Sequence, residues 1–587
     1  MEEPSVLDYL KSILNPWSRE KIRIPQANEI ESSGESQPVE GALSTEPEPQ
    51  VETLEGGLVS QTPKPDIRIQ PDTAVPEPEP RQPFPWLAVV PVFIAVFAQM
   101  LLEPQSRQVG PALAGFAVAL SLFLVYLLRK PVFRPAQPPA EQPTGWPTVE
   151  VNSGLLIASL ILAFLAFLTF SSHQFHLLNT SCWIASILFG TAAFWQSAPG
   201  RRKITEKLTD FIRQPRLHLK ITPWTVLMLA AIALVVFFRF YRLDQVPGEM
   251  FSDHAEKLID VGDVLNGQTW IFFPRNTGRE FFQMYLTAFV AKVFGTGLSF
   301  MSLKIGTALA GLLALPYVYL LGKELGGRWT GLFAFLFAGV AYWPNVISRI
   351  GLRFPLYPLF AAPVLFYLLR GLRRKQWNDL LLAGLFLGLG LHGYSAMRIV
   401  PVVVTIAFAL YLIHLQSKGQ RKLVVFGFFV LAFLALLVFI PLLRYWADDP
   451  TMVFYRSLTR IGTVEQTYTQ PVIITFFSNL WKATIMFFWD NGSIWVHSVP
   501  GRPALAVVPA ALFLISILFV FVRYVRERDW TDLFLLLSIP LLMMPSILSL
   551  AFPDENPSLN RTGAAAIPVF IMIAMLLQFV LSRISAW

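Results

Sequence analysis

The chain has 587 residues, of which 54% are hydrophobic, 14% aromatic and only 15% charged, with a formal net charge of +8. Soluble domains carry about 25% charged residues, so this composition excludes a water-soluble protein and points to an integral membrane one. The surplus Lys and Arg do not imply nucleic acid, because they sit in short clusters between apolar runs, and a single cysteine, Cys182, excludes a disulfide framework within one chain.

Residues 1–83 are rich in Glu, Pro, Ser and Gln, as in EPEPQVETLEGG and VPEPEPRQP, and poor in apolar side chains. Such a segment cannot bury enough surface to offset its chain entropy and is expected to be disordered. Within it Val6, Leu7, Tyr9, Leu10, Ile13 and Leu14 fall at helical spacing, which fits either a short amphipathic helix on a membrane or partner, or a transient helix in a tail. No cleavable signal peptide is expected, since the first apolar run begins near Trp86.

A bilayer core needs about 20 mostly apolar residues per helix, and on that measure we predict about fourteen transmembrane helices. They fall near 86–103, 109–128, 152–170, 179–197, 222–240, 300–321, 329–345, 354–370, 379–392, 398–415, 423–443, 504–523, 531–551 and 564–583. The run 282–295 is too short to span comfortably and reads as an interfacial or re-entrant helix. With it left out, Arg129 and Lys130, Arg201 to Lys203, Lys323 and Arg328, Arg370 to Lys375, Lys418 to Lys422, and Arg523 to Arg528 all fall on one side. The positive-inside rule makes that side cytoplasmic, puts both termini there, and turns loops 241–299, 444–503 and 552–563 outward from the plasma membrane. The expected fold class is therefore an all-α polytopic membrane protein. Its parts are the acidic, Pro-rich tail 1–83, an accessory four-span module over 84–221 and a working core over 222–587. No internal repeat is evident, which weakens a transporter reading.

The first outward loop is the most informative stretch. It holds Asp244, Glu249, Asp253, Glu256, Asp260, Asp263 and Glu280 in a chain otherwise built to dissolve in lipid. Asp253 followed by Glu256 fits a capping box, and acids suit a helix N-terminus. The functional alternative makes Asp253 a general base for a hydroxyl nucleophile at the membrane surface. Four arginines, Arg349, Arg353, Arg398 and Arg561, lie on the outer side against the positive-inside trend. Each is either a snorkelling anchor or a cation held for an anionic group, a task for which the planar guanidinium fork is suited. The loop 444–503 interleaves Asp448, Arg456, Arg460, Tyr468, His497 and Arg502 with Trp481, Trp489 and Trp495, a mixture that suits sugar faces and the membrane interface alike.

The stretch RLDQVPGEMFSDHAEKLIDVGDVLNG, followed by NTGREFFQMYL and KVFG, resembles the first outward loop of GT-C glycosyltransferases. These are polytopic enzymes related to protein O-mannosyltransferases and lipid A aminoarabinose transferases. The resemblance continues through YLLGKELGGRWTGLFAFLFAG, WPNVISRIGLRFPLYPL and LGLHGYSAMRIVPVVV, and more loosely through WVHSVPGRPAL and SLNRTGAAAIP, covering roughly 222–583. It implies a GT-C-like helical bundle and an inverting glycosyltransferase that takes its sugar from a polyprenyl-phosphate donor. It implies that Asp253 matches the loop aspartate placed to activate the acceptor. Where the family often has Asp-Glu, this chain has Asp253-His254, so Glu256 or Glu280 is the candidate second acid. The same departure weakens the case for a divalent cation as cofactor, which some relatives use and others do not, and no ligand set is assigned. Arg398, Arg353, Arg349 and Arg561 are the expected donor-phosphate ligands. His254, Arg279, Tyr394, His392 and His497 are the expected contacts of acceptor or sugar. The acceptor, whether protein, lipid or glycan, is left unnamed.

Competing readings are a lipid-linked sugar flippase or exporter, a glycan polymerase or ligase, and a scaffold whose tail recruits partners. A flippase should line a central cavity with ionisable residues inside its spans. Here the ionisable residues cluster in outward loops, which favours the enzyme.

Overall fold

The computed structural model describes residues 84–129, 146–197 and 221–587. The tail 1–83 with its stretch 6–14, most of the Pro-rich loop 131–150 and the basic segment 198–220 lie outside them.

Two helical hairpins open the described chain. Helices α1 (Trp86–Leu102) and α2 (Val109–Arg129) pair with each other, as do α3 (Ser153–Thr169) and α4 (Leu177–Phe194). Asn152 starts α3 by accepting a hydrogen bond from the Leu155 amide at 3.1 Å, satisfying one of the amides a helix start leaves free. After α5 (Pro223–Phe240) the chain leaves the spans and forms α6 (Ser252–Leu265), a hairpin of β1 (Phe272–Phe273) with β2 (Arg279–Glu280), and α7 (Phe282–Val293). The run expected to be interfacial is thus α7, only 12 residues long.

The core follows. Its helices are α8 (Phe300–Gly326), α9 (Arg328–Val340), α10 (Tyr342–Arg349), α11 (Leu356–Arg374), α12 (Trp377–Gly390), α13 (Val400–Ile413) and α14 (Arg421–Asp448). Then come α15 (Pro450–Ile461), α16 (Val472–Ile485), α17 (Val507–Glu527), α18 (Trp530–Ile547) and α19 (Ala566–Ser585). Helix α19 is apolar on every side and buried along most of its length, as a helix at the centre of a bundle must be. The close approach of α8 and α9 depends on Gly331, where a Cβ would come within 2.7 Å of the Tyr319 carbonyl. The two opening hairpins pack on different core helices, α1 on α17, and α3 and α4 on α14. Side chains such as Phe164 on α3 and Leu229 on α5 stay exposed, as they would facing lipid.

Among the described residues ten helices are long and apolar enough to cross a membrane, or eleven if α9 and α10, bent by 52° at Ala341, form one broken span. The expected fourteen are not reached on this measure. Helix α1 has 17 residues and α12 has 14, while α11 carries Arg370, Arg373 and Arg374 in its final turns. Helix α14 errs the other way. Its 28 residues extend ~42 Å at 1.5 Å per residue, beyond the ~30 Å apolar core, so an end carrying Arg444 and Asp448 can stand clear of lipid.

Candidate active site

Helix α6 begins with its first turn against the loop that joins α10 to α11. The expected capping box between Asp253 and Glu256 does not form. His254 takes that role instead: its Nδ1 accepts the Phe251 amide at 3.2 Å, so its Nε2 carries the proton and donates to the Ile350 carbonyl at 2.6 Å. With both nitrogens committed and the ring fully buried, His254 pins the start of α6 to the loop carrying Arg353 and has no atom left for acceptor or sugar. Burial holds its pKa below the ordinary histidine value, only partly offset by the bond to Ile350.

Asp253 is thereby released toward a cavity of about 660 Å3. Its Oδ1 accepts from Asn276 Nδ2 at 3.2 Å and Arg279 at 3.4 Å. Burial works to raise the Asp253 pKa, but Lys257, Arg279, Arg456 and Arg353 together outweigh it and keep the carboxyl below its usual range. Glu256 accepts from Arg279 at 2.8 Å and also from Asn276 Nδ2. Asp260 accepts from Arg275 at 2.7 Å. Asp253, Glu256, Asp260 and Asp263 thus form an ion-pair network with Arg275 and Arg279, in which Arg279, nearly fully buried, is the central cation.

Glu280 lies behind the cavity wall. One of its oxygens accepts from Arg353 at 2.8 Å and the other from Arg398 at 2.9 Å, with the side chain 2% exposed. Both oxygens are spent, so Glu280 aims two arginines and is not a second base. Arg353 also lies over the Tyr394 ring at 5.4 Å, and Arg398 over Phe454 at 5.0 Å while bonding Ser457 Oγ at 3.2 Å. Arg561 reaches the cavity from the last loop, bonded to Ser549 Oγ at 3.0 Å and paired with Glu555. Tyr394 and His497 line the cavity too. Burial first, and the charge of Arg561 after it, pushes the His497 imidazole down to about 4, so it is neutral at neutral pH; its buried Nδ1 has no protein partner.

Two expected site residues are elsewhere. Arg349 gives its guanidinium to the carbonyls of Phe238, Arg239, Tyr241 and Val246 at 2.8 to 3.2 Å, closing the C-terminal end of α5. It does not line the cavity. His392 is buried behind Phe281, where its Nε2 donates to the Val438 carbonyl at 3.0 Å.

Three cations were missed as candidates. Lys257, 3% exposed, donates to the Asp253 carbonyl at 3.0 Å and has no carboxylate partner; burial above all drives its pKa well below the usual lysine value. Arg456 reaches the Asn276 carbonyl at 2.8 Å, with its Nε buried and unpartnered, and burial lowers its pKa to about 10. Arg460 pairs at 3.6 Å with Glu555. A signal for them existed: Lys257 is one helical turn from Asp253, and Arg456 and Arg460 share a face of α15. Lining the cavity are therefore Lys257, Arg279, Arg353, Arg398, Arg456, Arg460 and Arg561 against Asp253 and Glu555.

Such a wall has the charge to hold an anion. Among the described residues no three His, Cys, Asp or Glu side chains are grouped to hold a metal ion, and the acids nearest the cavity are committed to guanidiniums, so they do not fit a divalent cation. Beside the cavity, and sharing Val496 and His497 with it, runs an apolar groove of about 1070 Å3 between α5, α9, α10 and the start of α17.

Residues 281–446 match the family described as dolichyl-phosphate-mannose-protein mannosyltransferase. Among solved structures the chain is similar to the oligosaccharyltransferase AglB of Archaeoglobus fulgidus in complex with an inhibitory peptide and a dolichol-phosphate. The identity is 14% and the TM-score 0.40, over 60% of this chain and 50% of that one. An Archaeoglobus fulgidus oligosaccharyltransferase tethered with an acceptor peptide matches at 15% identity and TM-score 0.39, over 61% and 49%. The chain thus spans about half the length of the solved structures it matches. No curated protein matches it in sequence.

Proposed function

We propose that this chain, a GT-C-type membrane glycosyltransferase by its family match over 281–446, moves a sugar from a polyprenyl-phosphate donor to an acceptor hydroxyl. The observation that carries this reading is one junction. An ionised aspartate and a wall of cations meet in a cavity that opens beside an apolar groove. The groove suits a polyprenyl chain, and the cations suit the phosphate at its head.

In the proposed reaction the acceptor O–H gives its proton to Asp253 as its oxygen bonds the anomeric carbon. The bond from that carbon to the phosphate oxygen breaks, and the electron pair leaves with the phosphate. Arg353 and Arg398, aimed by Glu280, and Arg456 and Lys257, which have no carboxylate partner of their own, take up the developing charge. Attack opposite the leaving phosphate inverts the anomeric centre. The same cations keep Asp253 weakly basic before the donor arrives; a bound phosphate neutralises them and raises its basicity when it is needed.

The cavity belongs on the outer face of the plasma membrane. Helix α11 starts beside Arg353 and ends ~27 Å away at 1.5 Å per residue, where Arg370, Arg373 and Arg374 cluster. Helix α19 likewise starts near Arg561 and ends at Arg583. Basic ends opposite the cavity support, by the positive-inside rule, a reading with the cavity outside and both termini in the cytoplasm. Purified protein incubated with a panel of radiolabelled polyprenyl-phosphate sugars and membrane extract tests the reading. Label should move from at least one donor, and no transfer from any would overturn it.

A further inference from the structure

We propose that the hairpin α3–α4 is a positioning element of the active site, acting through His173, Phe175 and Thr269. The proposal rests on the glycosyl-transfer reading above. Arg279 and Glu280 make up β2 of a hairpin whose two strands are only two residues each, and a hairpin so short does not hold itself. Its turn is strained as well: Asn276 and the β-branched Thr277 have positive φ, at 46° and 62°, before Gly278, which adopts its 80° freely. Yet Arg279 binds Asp253 and Glu256, and Glu280 orients Arg353 and Arg398. Something outside the hairpin must fix it.

The loop between α3 and α4 supplies the fixing. It runs antiparallel to residues 269–271, with Gln174 opposite Trp270. The Phe175 amide donates to the Thr269 carbonyl at 2.7 Å, the Ile271 amide to the His173 carbonyl at 2.9 Å, and the Thr269 hydroxyl to the Phe175 carbonyl at 2.7 Å. Residue 271 leads directly into β1, so the loop adds a third edge to the hairpin. Side chains continue the brace. Phe175 packs edge-on against Phe281 at 5.0 Å, immediately after Glu280. His173 Nε2 bonds Asp448 at 2.8 Å, and its ring lies on Tyr445, which in turn meets Phe272 of β1 at 4.9 Å.

The brace is itself anchored. Trp183 of α4 donates to the Leu437 carbonyl of α14 at 3.0 Å, and the buried Asn179 holds the loop by donating to the Gln174 carbonyl at 2.9 Å. A rigid path therefore runs from the α3–α4 hairpin to Arg279 and Glu280. Misplacing groups by about 1 Å from outside the chemistry can cost about 100-fold in rate.

The test uses the full chain in detergent, comparing Thr269→Val, Thr269→Ser and a His173→Ala/Thr269→Val double variant. Turnover is measured per correctly inserted molecule, together with donor KM and amide hydrogen exchange at 279–281. We expect the double variant to lose about tenfold or more in kcat with donor KM within about twofold, and its 279–281 amides to exchange faster. Thr269→Ser, which keeps the hydroxyl, should remain near wild type. Should the double variant fail to insert, Phe175→Leu carries the same comparison. Wild-type exchange at 279–281 and unchanged kcat would overturn the proposal, as would loss of activity that only follows loss of folded protein. If the wild-type chain transfers no sugar, the reaction assignment fails, and the exchange measurement alone decides the brace.

Discussion

Arg349 and Arg353 stand one helical turn apart in the sequence and do different things. Arg349 closes the end of α5 through four carbonyls, whereas Arg353 is buried against Glu280 at the cavity. Replacing Arg349 with Ala should cost about 1–3 kcal/mol of stability through the lost hydrogen bonds and weaken donor binding far less than loss of Arg353, because Arg349 lines the apolar groove and not the cationic cavity. Arg353→Ala should weaken donor binding strongly, and Arg353→Lys should rescue it only in part because the fork is lost. Thermal melting and donor titration on the same variants check this pair. Lys257 gives a pH prediction. Its pKa is held well below the usual lysine value by burial, so its charge is present below that lowered pKa and lost as pH rises through it. Donor affinity should therefore fall on the alkaline side at a pH below the ordinary lysine range, and Lys257→Arg should remove that fall. A flat alkaline profile in wild type would take Lys257 out of the phosphate site. Asp253, Arg353, Arg398 and Arg561 stand out in the sequence because their charge conflicts with a lipid setting, and Arg349 stands out equally yet lies off the cavity. Glu280 and His254 were visible as polar residues, but their roles depend on partners at Arg353, Arg398 and Ile350, distant in sequence.

At the level of elements, apolar length found the helices and misjudged the spans. Helix α12, with 14 residues, and α14, with 28, carry similarly apolar runs, and only packing determines how much of each lies in lipid. The bend at Ala341 had a signal in the run 329–345, where the apolar stretch gives way to Tyr342, Trp343, Pro344 and Asn345, but apolar length alone reads across it. The run 282–295 was legible as something other than a span, since α7 is too short to cross. Helix α15 was hidden for a different reason. Asp449 caps it, its side chain accepting the Met452 amide at 3.0 Å, and Pro450 starts it, but its value to the site is the pair Arg456 and Arg460, which read in sequence as ordinary loop charges.

Across the whole molecule, every residue that lines the cavity lies between Phe251 and Arg561. A chain truncated to begin near Gln82 should therefore retain sugar transfer in detergent, measured per mole of purified protein. Loss of chemistry, as distinct from loss of expression, would contradict the placement of the site. The bundle is polarised, with Arg370, Arg373, Arg374 and Arg583 at helix ends away from the cavity and Lys257, Arg353, Arg398 and Arg456 around it. The first set fits the insertion rule; the second departs from it, and the proposed phosphate site gives that departure a reason. That conflict marked Arg353, Arg398 and Arg561 in the sequence, and it did not mark Lys257 or Arg456, which the fold brings to the same cavity. The central claim is that Asp253 accepts the acceptor's proton, and the most direct measurement is the turnover of Asp253→Asn at saturating donor. The substitution keeps the side chain's size and removes the base, so kcat should fall by about 100-fold to 10,000-fold in a folded protein that still binds donor. Near-normal turnover in that variant would contradict the account.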